Sequence, residues 1–150
     1  MGVSILESIP AGATVVVDSG PIILVLDGTD RTLAGHYLPV FKAAERGRIA
    51  IAVSTITVAE VMTGPLRHGD RILAERYRQV MSSSTNWRVV DFTLGLAGLA
   101  AELRAKYRLK LPDAIQLATA IDAGAHALIT HDRDFSAISE LPVISGVRRR

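Results

Sequence analysis

Residues Ala13 to Asp18 have the sequence ATVVVD, a run of β-branched residues that ends at a carboxylate. The run lacks the alternation of polar and apolar residues and is therefore typical of a strand covered on both faces in a parallel sheet. Similar runs occupy 49–53 and 127–130, and shorter ones occupy 88–91 and 142–144. Helical patterns separate these runs, so the sequence predicts an α/β domain with a mostly parallel central sheet of four to five strands.

The helical pattern is clearest at 33–45, where Leu33, Tyr37 and Val40 are spaced to share one face. We expect Pro39 to kink or split this helix. Residues before the first strand are expected to form an arm or a turn. The predicted helices are 22–26, 33–45, 55–63 (ended by Gly64 and Pro65), 70–81, 93–107 and 114–123.

The composition limits the class of protein. Of the 150 residues, 49% are hydrophobic and 21% charged, which excludes an intrinsically disordered chain. Cysteine is absent, which excludes disulfides, a thiolate zinc site and a cysteine nucleophile. No apolar run approaches the roughly 20 residues that a bilayer requires, and the start of the chain lacks the pattern of a secretory signal. We expect a single domain, 1–150, in the cytoplasm and without membrane contact.

The net charge of +2 is unevenly distributed. Arg148, Arg149 and Arg150 make the end of the chain, 147–150, a basic tail, and without them 14 basic residues stand against 15 acidic ones. A nearly neutral body argues against nucleic-acid binding by bulk charge, so any such activity must come from a local site. We expect the tail to be a solubilising end, with an RNA anchor or a cloning remnant as the alternatives.

Acidic residues gather around the predicted strand ends. Asp18 ends the first strand, and Asp132 and Asp134 follow the fourth. Asp113 lies in the first turn of the helix before that fourth strand, and Glu60 interrupts an apolar helical stretch after the second. The carboxyl ends of parallel strands lie at one edge of a sheet, where ligands of such folds bind. The sequence therefore predicts that these five carboxylates converge at that edge.

Most of these acids also have a structural interpretation. Asp18 is placed to cap a helix and Asp113 to interact with a helix dipole, while the two late aspartates are typical turn residues. Glu60 is harder to explain, because a buried carboxylate without a partner is costly. Clustered carboxylates repel one another unless a cation lies between them. Mg²⁺ or Mn²⁺ prefers such oxygen ligands, so the pattern favours a carboxylate metal site.

Four motifs resemble those of the PIN-domain ribonucleases, and most of all the VapC-type toxins of bacterial toxin–antitoxin pairs. They are Val-Val-Asp-Ser ending at Ser19, Thr-Val-Ala-Glu ending at Glu60, Leu-Pro-Asp-Ala-Ile-Gln-Leu-Ala from Leu111, and Leu-Ile-Thr-His-Asp-Arg-Asp-Phe from Leu128. The last two are the most specific, and the resemblance covers about 14–146. It implies a PIN-like three-layer α/β/α sandwich and a Mg²⁺-dependent endoribonuclease, with Mn²⁺ as the alternative ion.

Position by position, the resemblance also implies roles. The acidic catalytic site is Asp18, Glu60, Asp113 and Asp132, and the metal ligands among them are Asp18, Asp113 and Asp132. Asp134 is implied to be an auxiliary acid, and Ser19 and Thr130 fall where the family has small hydroxyls that support the site. Two departures are Gly20-Pro21 after the first motif, which alters the local turn, and His131, which replaces a common Asn.

The resemblance implies partners as well. These are an RNA substrate (transfer, ribosomal or messenger RNA), a VapB-like antitoxin wrapped around a groove near the early helices, and a second copy of the chain in a homodimer. The apolar residues of those helices, which belong to the core or to an interface, are Leu24, Leu26, Tyr37, Leu38 and Phe41. Candidates for phosphate contacts, with a solvated helix end as the alternative, are Lys106, Arg108, Lys110 and Arg133.

Two other classes of function remain open on the sequence. One is a catalytically silent PIN-fold module that binds RNA or protein. The other is a metal-dependent phosphatase or DNA nuclease on a similar fold. Aspartyl-phosphate phosphatases are disfavoured because they have a second aspartate two positions after the first, where this chain has Gly20.

Overall fold

The computed structural model describes residues 4–132, 135 and 138–145. The strands are β1 (Thr14–Val17), β2 (Ala50–Ser54), β3 (Trp87–Val90), β4 (Ala127–Thr130) and β5 (Val143–Ser145). They form one five-stranded sheet in the order β3-β2-β1-β4-β5, in which every neighbouring pair is parallel. The predicted α/β architecture with its parallel sheet is therefore confirmed.

Six α-helices and a short 3₁₀ helix (Ile5–Ser8) accompany these strands in the described residues. Several helices begin at a capping side chain: Asp30, Asp70 and Thr93 each accept a hydrogen bond from the backbone N–H three residues later. The α-helices are α1 (Ser19–Asp27), α2 (Arg31–Glu45), α3 (Thr55–Arg67), α4 (Arg71–Ser83), α5 (Leu94–Tyr107) and α6 (Leu111–Asp122).

The alternation of side chains along β1 divides the core into two layers. Val15 and Val17 pack with residues of α1 to α4, whereas Val16 packs with residues of α5 and α6. Helices thus cover both faces of the sheet, which confirms the predicted three-layer arrangement. Within the described ranges, no helix has the length and apolar character needed to cross a membrane.

The order of the strands defines where a ligand is expected. From β1 the chain adds β2 and then β3 on one side, and it returns to place β4 on the other side of β1. The strand order therefore reverses between β1 and β4, and the carboxyl ends of these strands flank a crevice in folds of this kind. Asp18 follows β1 and His131 follows β4 at this point.

One local prediction was wrong, and the structure refines two others. The helix after β2 does not end at Gly64 but runs through Pro65 to Arg67. A proline near the last turn of a helix lacks only its own N–H donor, and the carbonyl of Pro65 still accepts from the backbone N–H groups of residues 68 and 70. Pro39 does not split α2, since the carbonyl it leaves without a donor belongs to the exposed Gly35. The leading segment contains the 3₁₀ helix, which packs on α2.

Candidate metal-binding and catalytic site

Asp18 is held by both strands of the central crevice. Its backbone N–H donates to the carbonyl of Ile129 in β4 at 2.9 Å. Its side chain caps α1, where Oδ1 accepts from the backbone N–H of Ser19 at 2.7 Å. Oδ2 accepts from the hydroxyl of Thr130 at 3.0 Å. The predicted capping role and the predicted site position therefore belong to the same residue, since a carboxylate has oxygens for both.

Thr130 connects the two strand ends through a single buried hydroxyl. This last residue of β4 is fully buried, and its Oγ1 donates to Asp18 while accepting from the backbone N–H of Asp132 at 3.0 Å. The hydroxyl therefore fixes the start of the segment after β4 relative to β1. Ser19, the other predicted hydroxyl, contributes mainly its backbone N–H, because its Oγ is 3.5 Å from Asp18.

The carboxylates at this edge repel one another. Burial raises the pKa of Asp18, and the negative charge of Asp132 raises that pKa further, against the lowering effect of the hydrogen bonds from Ser19 and Thr130. Burial likewise raises the pKa of Glu60, with Asp18 as the second cause. The structure thus brings both Asp132 and Glu60 within electrostatic range of Asp18.

Glu60 has one oxygen that the fold does not satisfy. The residue lies on α3, is partly buried, and its Oε1 is inaccessible to solvent and has no hydrogen-bond partner among the described residues. An unsatisfied buried oxygen of this kind costs about 1–3 kcal/mol. A cation between Glu60 and Asp18 would remove both this cost and their mutual repulsion.

Asp113 lies in the first turn of α6, and only 8% of its surface is exposed. The helix packs against β1, β2 and β4, and no side chain caps its start at Lys110. A carboxylate in this position interacts favourably with the helix dipole. The structure therefore places Asp113 on an element adjoining the crevice and accommodates the dipole interpretation as well.

The donor set fits a hard divalent cation such as Mg²⁺. It consists of carboxylate oxygens. A cation would favour the charged forms of Asp18 and Glu60, whose pKa values are raised, and would contact the unsatisfied oxygen of Glu60. Across residues 4–132, 135 and 138–145, no three His, Asp or Glu side chains are close enough together to enclose a metal ion. Mg²⁺ usually keeps several of its waters, so carboxylates can also hold it through water.

The predicted phosphate-contacting residues have varied surroundings. Lys106 Nζ lies 3.6 Å from a carboxylate oxygen of Glu140 and 5.0 Å from the ring centre of Tyr107. Arg108 and Lys110 are exposed at the end of α5 and the start of α6. Predictions that lie outside the described residues concern Arg133, Asp134, Arg148, Arg149 and Arg150.

Two polar pairs, one partly buried and one buried, were not predicted. The hydroxyl of Tyr37 lies 2.6 Å from Nδ1 of His131, and Nε2 of Gln116 donates to the hydroxyl of Thr57. The second pair ties α6 to α3 one turn from Asp113 and one turn from Glu60 on those helices. The sequence signal for this pair was a polar residue three positions from each acid, on the same helix face.

The apolar residues of the early helices belong mainly to the core. Tyr37 is fully buried, and Leu24, Leu26 and Phe41 pack against the core on that face of the sheet, while Leu38 is exposed. A separate groove of about 280 Å³ lies between α1, α3 and α4. Its walls are largely apolar, with carboxylates from Asp27 and Asp70.

The chain belongs to the PIN domain family. Residues 15–141 match the family model of the PIN domain, a range that includes β1 from Val15 onward and the acids of the crevice. A search of curated proteins found no significant match.

Solved structures with the same fold include several toxin–antitoxin proteins. A toxin–antitoxin complex from Klebsiella pneumoniae is 29% identical, with a TM-score of 0.66 over 90% of this chain and 99% of that chain. The VapBC2 complex of Rickettsia felis bound to a promoter DNA fragment is 18% identical, with a TM-score of 0.68 over 88% and 98%. The VapC20 toxin of Mycobacterium tuberculosis, a Sarcin-Ricin loop cleaving toxin, is 20% identical, with a TM-score of 0.66 over 82% and 93%.

Proposed function

We propose that this protein is a metal-dependent endoribonuclease and the toxin component of a type II VapBC-type toxin–antitoxin pair. The observation that carries the proposal is the carboxylate cluster at the reversal of strand order. There the pKa of Asp18 is raised by burial and by the charge of Asp132, the pKa of Glu60 is raised by burial and by the charge of Asp18, and no described cation pairs with Asp18 or Glu60. Membership of the PIN domain family and the fold shared with VapC toxins support the same function.

Asp18, Asp113 and Asp132 would hold the ion, directly or through water, with Glu60 and Asp134 completing its surroundings. A bound Mg²⁺ or Mn²⁺ lowers the pKa of a coordinated water and offsets charge on the phosphoryl oxygens of a phosphodiester. The chain's own contribution is orientation: Thr130 and the N–H of Ser19 leave Asp18 with a fixed direction, and Thr130 fixes the backbone at Asp132. Exposed cations near α6, such as Lys110, would contact the RNA phosphates.

The proposal is tested by incubating the purified protein with structured RNA in Mg²⁺, and then in EDTA. Cleavage that appears with Mg²⁺ and stops with EDTA is expected. A parallel reaction with double-stranded and single-stranded DNA of the same sequence tests for a DNA nuclease. RNA left intact in both Mg²⁺ and Mn²⁺, by protein shown to be free of any copurified partner, would refute the proposal and favour a silent binding module.

The antitoxin is proposed to bind the groove between α1, α3 and α4. Its apolar walls include Ile23, which is 40% exposed, and its carboxylates are Asp27 and Asp70. A segment that alternates apolar and basic residues would complement both features. Coexpression with the VapB-like protein should yield a stable complex, and charge reversal at Asp27 and Asp70 together should weaken it while RNA cleavage by the isolated toxin persists.

A homodimer in the cytoplasm is the proposed state of the free toxin. Light scattering after size exclusion, with the antitoxin absent, should give twice the chain mass of 16.1 kDa. A constant monomer mass across a hundredfold concentration range would contradict the dimer without affecting the nuclease proposal.

A further inference from the structure

Gln116 and Thr57 form a buried hydrogen bond between two helices that carry acids of the crevice. Both side chains are fully buried, and Nε2 of Gln116 donates to the hydroxyl of Thr57. Thr57 precedes Glu60 by three positions on α3, and Gln116 follows Asp113 by three positions on α6. Residues three positions apart on a helix are neighbours on its surface. The bond therefore lies one turn from a carboxylate on each helix.

The bond reaches the edge of the sheet at which Asp18 lies. Thr57 is in the first turn of α3, which follows β2 directly. The neighbouring Ile56 packs in the core layer of α5 and α6, whereas Val58 packs in the layer of α1 to α4. The start of α3 thus lies where the two layers meet, at the carboxyl end of β2. Because β1 and β2 are parallel, this end is on the same edge as the end of β1.

The pair is poorly suited to a purely stabilising role. Oε1 of Gln116 is inaccessible to solvent and has no hydrogen-bond partner among the described residues. An unsatisfied buried oxygen costs free energy, and replacing both partners of a buried hydrogen bond by apolar groups of the same shape can be nearly neutral. An apolar pair would lack only the directional link that specifies one arrangement of the two helices. The distinctive property of the polar pair is thus the geometry that it imposes.

We propose that Gln116 is a positioning residue of the carboxylate site. Its bond to Thr57 fixes the starts of α3 and α6 relative to each other, and thereby fixes Glu60 relative to Asp113. The spacing of these two carboxylates sets the affinity for the divalent cation, because Mg²⁺ requires its oxygen ligands in a narrow geometry. This role rests on the metal site of the proposed function.

Thermal unfolding during titration with MgCl₂, and separately with MnCl₂, measures the affinity without RNA, because an ion that binds the folded protein stabilises it according to its dissociation constant. Ionic strength is held constant with NaCl. Thr57→Val keeps the volume but removes the hydroxyl, and it should weaken the affinity about tenfold, as changes in residues that orient metal ligands do. Thr57→Ser keeps the hydroxyl and should retain the wild-type affinity. A packing role predicts the reverse order, with the affinity lost in Thr57→Ser and kept in Thr57→Val.

Further variants decide the question even if Thr57→Val fails to fold. Gln116→Met has a similar length and no hydrogen-bonding amide, and it should weaken the affinity by the same factor. The double variant should lose no more than either single variant, since all three lack the same bond. Thr119→Val is the control, because it removes a buried hydroxyl that bonds only within α6, and it should leave the affinity unchanged. Losses that multiply in the double variant would show that the two residues do not act through their bond.

RNA cleavage adds a second measurement. The Mg²⁺ concentration that gives half of the maximal rate should rise by the same factor in Gln116→Met, whereas kcat at saturating Mg²⁺ should recover. A kcat that stays low at saturating Mg²⁺ would overturn the positioning role, because the defect would then not lie in cation affinity.

The metal titration also separates this role from the proposed function. Equal shifts of the unfolding midpoint in the wild-type protein and all variants refute the positioning role and leave the metal site standing. No shift in the wild-type protein with either ion refutes the metal site and the positioning role with it. If the wild-type protein binds the ion but cleaves no RNA, the ribonuclease function alone is refuted, and the thermal titration still decides the role of Gln116.

Discussion

Glu140, in the segment before β5, lies beside an ammonium and two hydroxyls, whereas Asp18, after β1, lies beside further carboxylates. Hydrogen bonding from Tyr107 is the main reason that the pKa of Glu140 is lowered, with Ser139 and the charge of Lys106 adding to the effect. Burial and the charge of Asp132 raise the pKa of Asp18. Two carboxylates of one chain are thus shifted in opposite directions by their surroundings.

The difference between these two carboxylates shows that the described residues provide a cation for Glu140 but none for Asp18. At the exposed Glu140 the ion pair and hydrogen bonds stabilise the charged form. At the crevice the described residues supply Asp18 with hydrogen bonds but with no ion pair, and they leave one oxygen of Glu60 unsatisfied. A fold that concentrates negative charge in this way is complete when a cation is bound, which is the basis of the proposed metal site.

The largest expected effect is on catalysis. Asp18→Asn keeps the shape of the side chain and one acceptor oxygen but removes the charge. It should lower kcat for Mg²⁺-dependent RNA cleavage by more than about 100-fold, which exceeds the loss typical of residues that only hydrogen-bond to a metal ligand. The matched control Glu140→Gln removes a carboxylate that already has its own cation and should leave kcat unchanged. Initial rates at saturating RNA provide the measurement, with circular dichroism to confirm folding.

If Asp18→Asn cleaves RNA as fast as the wild-type protein, the crevice around Asp18 is no more important for catalysis than the surface around Glu140. An Asp113→Asn variant, measured in parallel, shows whether Asp18 alone is dispensable or whether the whole proposed site is wrong. If both variants cleave RNA at the wild-type rate, the crevice is not the catalytic site.

The next effect concerns Thr130, whose hydroxyl joins the two sides of the crevice. Thr130→Val keeps the buried volume but takes a donor from Asp18 and an acceptor from the N–H of Asp132, and it should lower the free energy of unfolding by about 1–3 kcal/mol. Thr119→Val is the control, because that buried hydroxyl donates only to the carbonyl of Ile115 within α6. Urea titration of the three proteins measures the difference.

A smaller loss in Thr130→Val than in Thr119→Val would show that the hydroxyl of Thr130 does not organise the crevice. The activity of the two variants gives a second comparison. Only Thr130→Val should cleave RNA more slowly, because only this substitution releases Asp18 and the backbone of Asp132.

The fold could be predicted largely from the sequence because buried parallel strands leave an uninterrupted apolar signal. β4 has the predicted bounds, Ala127–Thr130, and Asp18 follows β1 as expected. The end of α3 was mispredicted because Gly64 and Pro65 are local helix-breaking signals, whereas the packing of α3 on α4 is a tertiary effect.

The part of the site that could be predicted is the set of side chains that directly follow a strand, because the pairing of the strands decides where they lie. The approach of Asp18 to Asp132 follows from the parallel pairing of β1 with β4. The Tyr37–His131 and Thr57–Gln116 pairs were not predictable, since their partners are 94 and 59 residues apart and meet only through helix packing. Their residue types are also ordinary for a helix or a turn, and the spacing of three positions from Thr57 to Glu60 and from Asp113 to Gln116 does not by itself identify the partner.

A smaller effect is expected in the pH dependence of stability. The pKa of Glu60 is raised above its ordinary value of 4.5 in the folded protein, so its contribution to stability is present below that pH and is lost as the pH rises through the folded pKa. Without metal, Glu60→Gln should therefore become more stable than wild type from pH 4 to pH 7, by less than about 1 kcal/mol because the residue is half-buried. Mg²⁺ should reduce this gain.

The control variant, Glu140→Gln, should show the opposite dependence of stability on pH. The pKa of Glu140 is lowered, so its contribution is present above the ordinary pKa and is lost as the pH falls through the folded pKa. Glu140→Gln should accordingly be slightly less stable than wild type at pH 7 and equal to it at low pH. Thermal unfolding of the three proteins at pH 4, 5, 6 and 7 tests both signs, and parallel curves for all three would mean that the two carboxylates are not distinguished by the fold.

The smallest expected effect tests whether Lys106 contacts an RNA phosphate or is only a solvated residue at the end of a helix. Its ammonium is already paired with Glu140 at 3.6 Å and its side chain is 61% exposed, so Lys106→Met should leave both the free energy of unfolding and the KM for RNA essentially unchanged. Lys110 lies instead at the start of the helix that carries Asp113, and Lys110→Met should raise KM several-fold through a lost phosphate contact. Steady-state kinetics at two salt concentrations measure both effects, because a phosphate contact weakens as salt rises. An increase in KM for Lys106→Met equal to that for Lys110→Met would mean that RNA displaces Glu140 from Lys106, and the substrate would then reach beyond the crevice to the surface around β5.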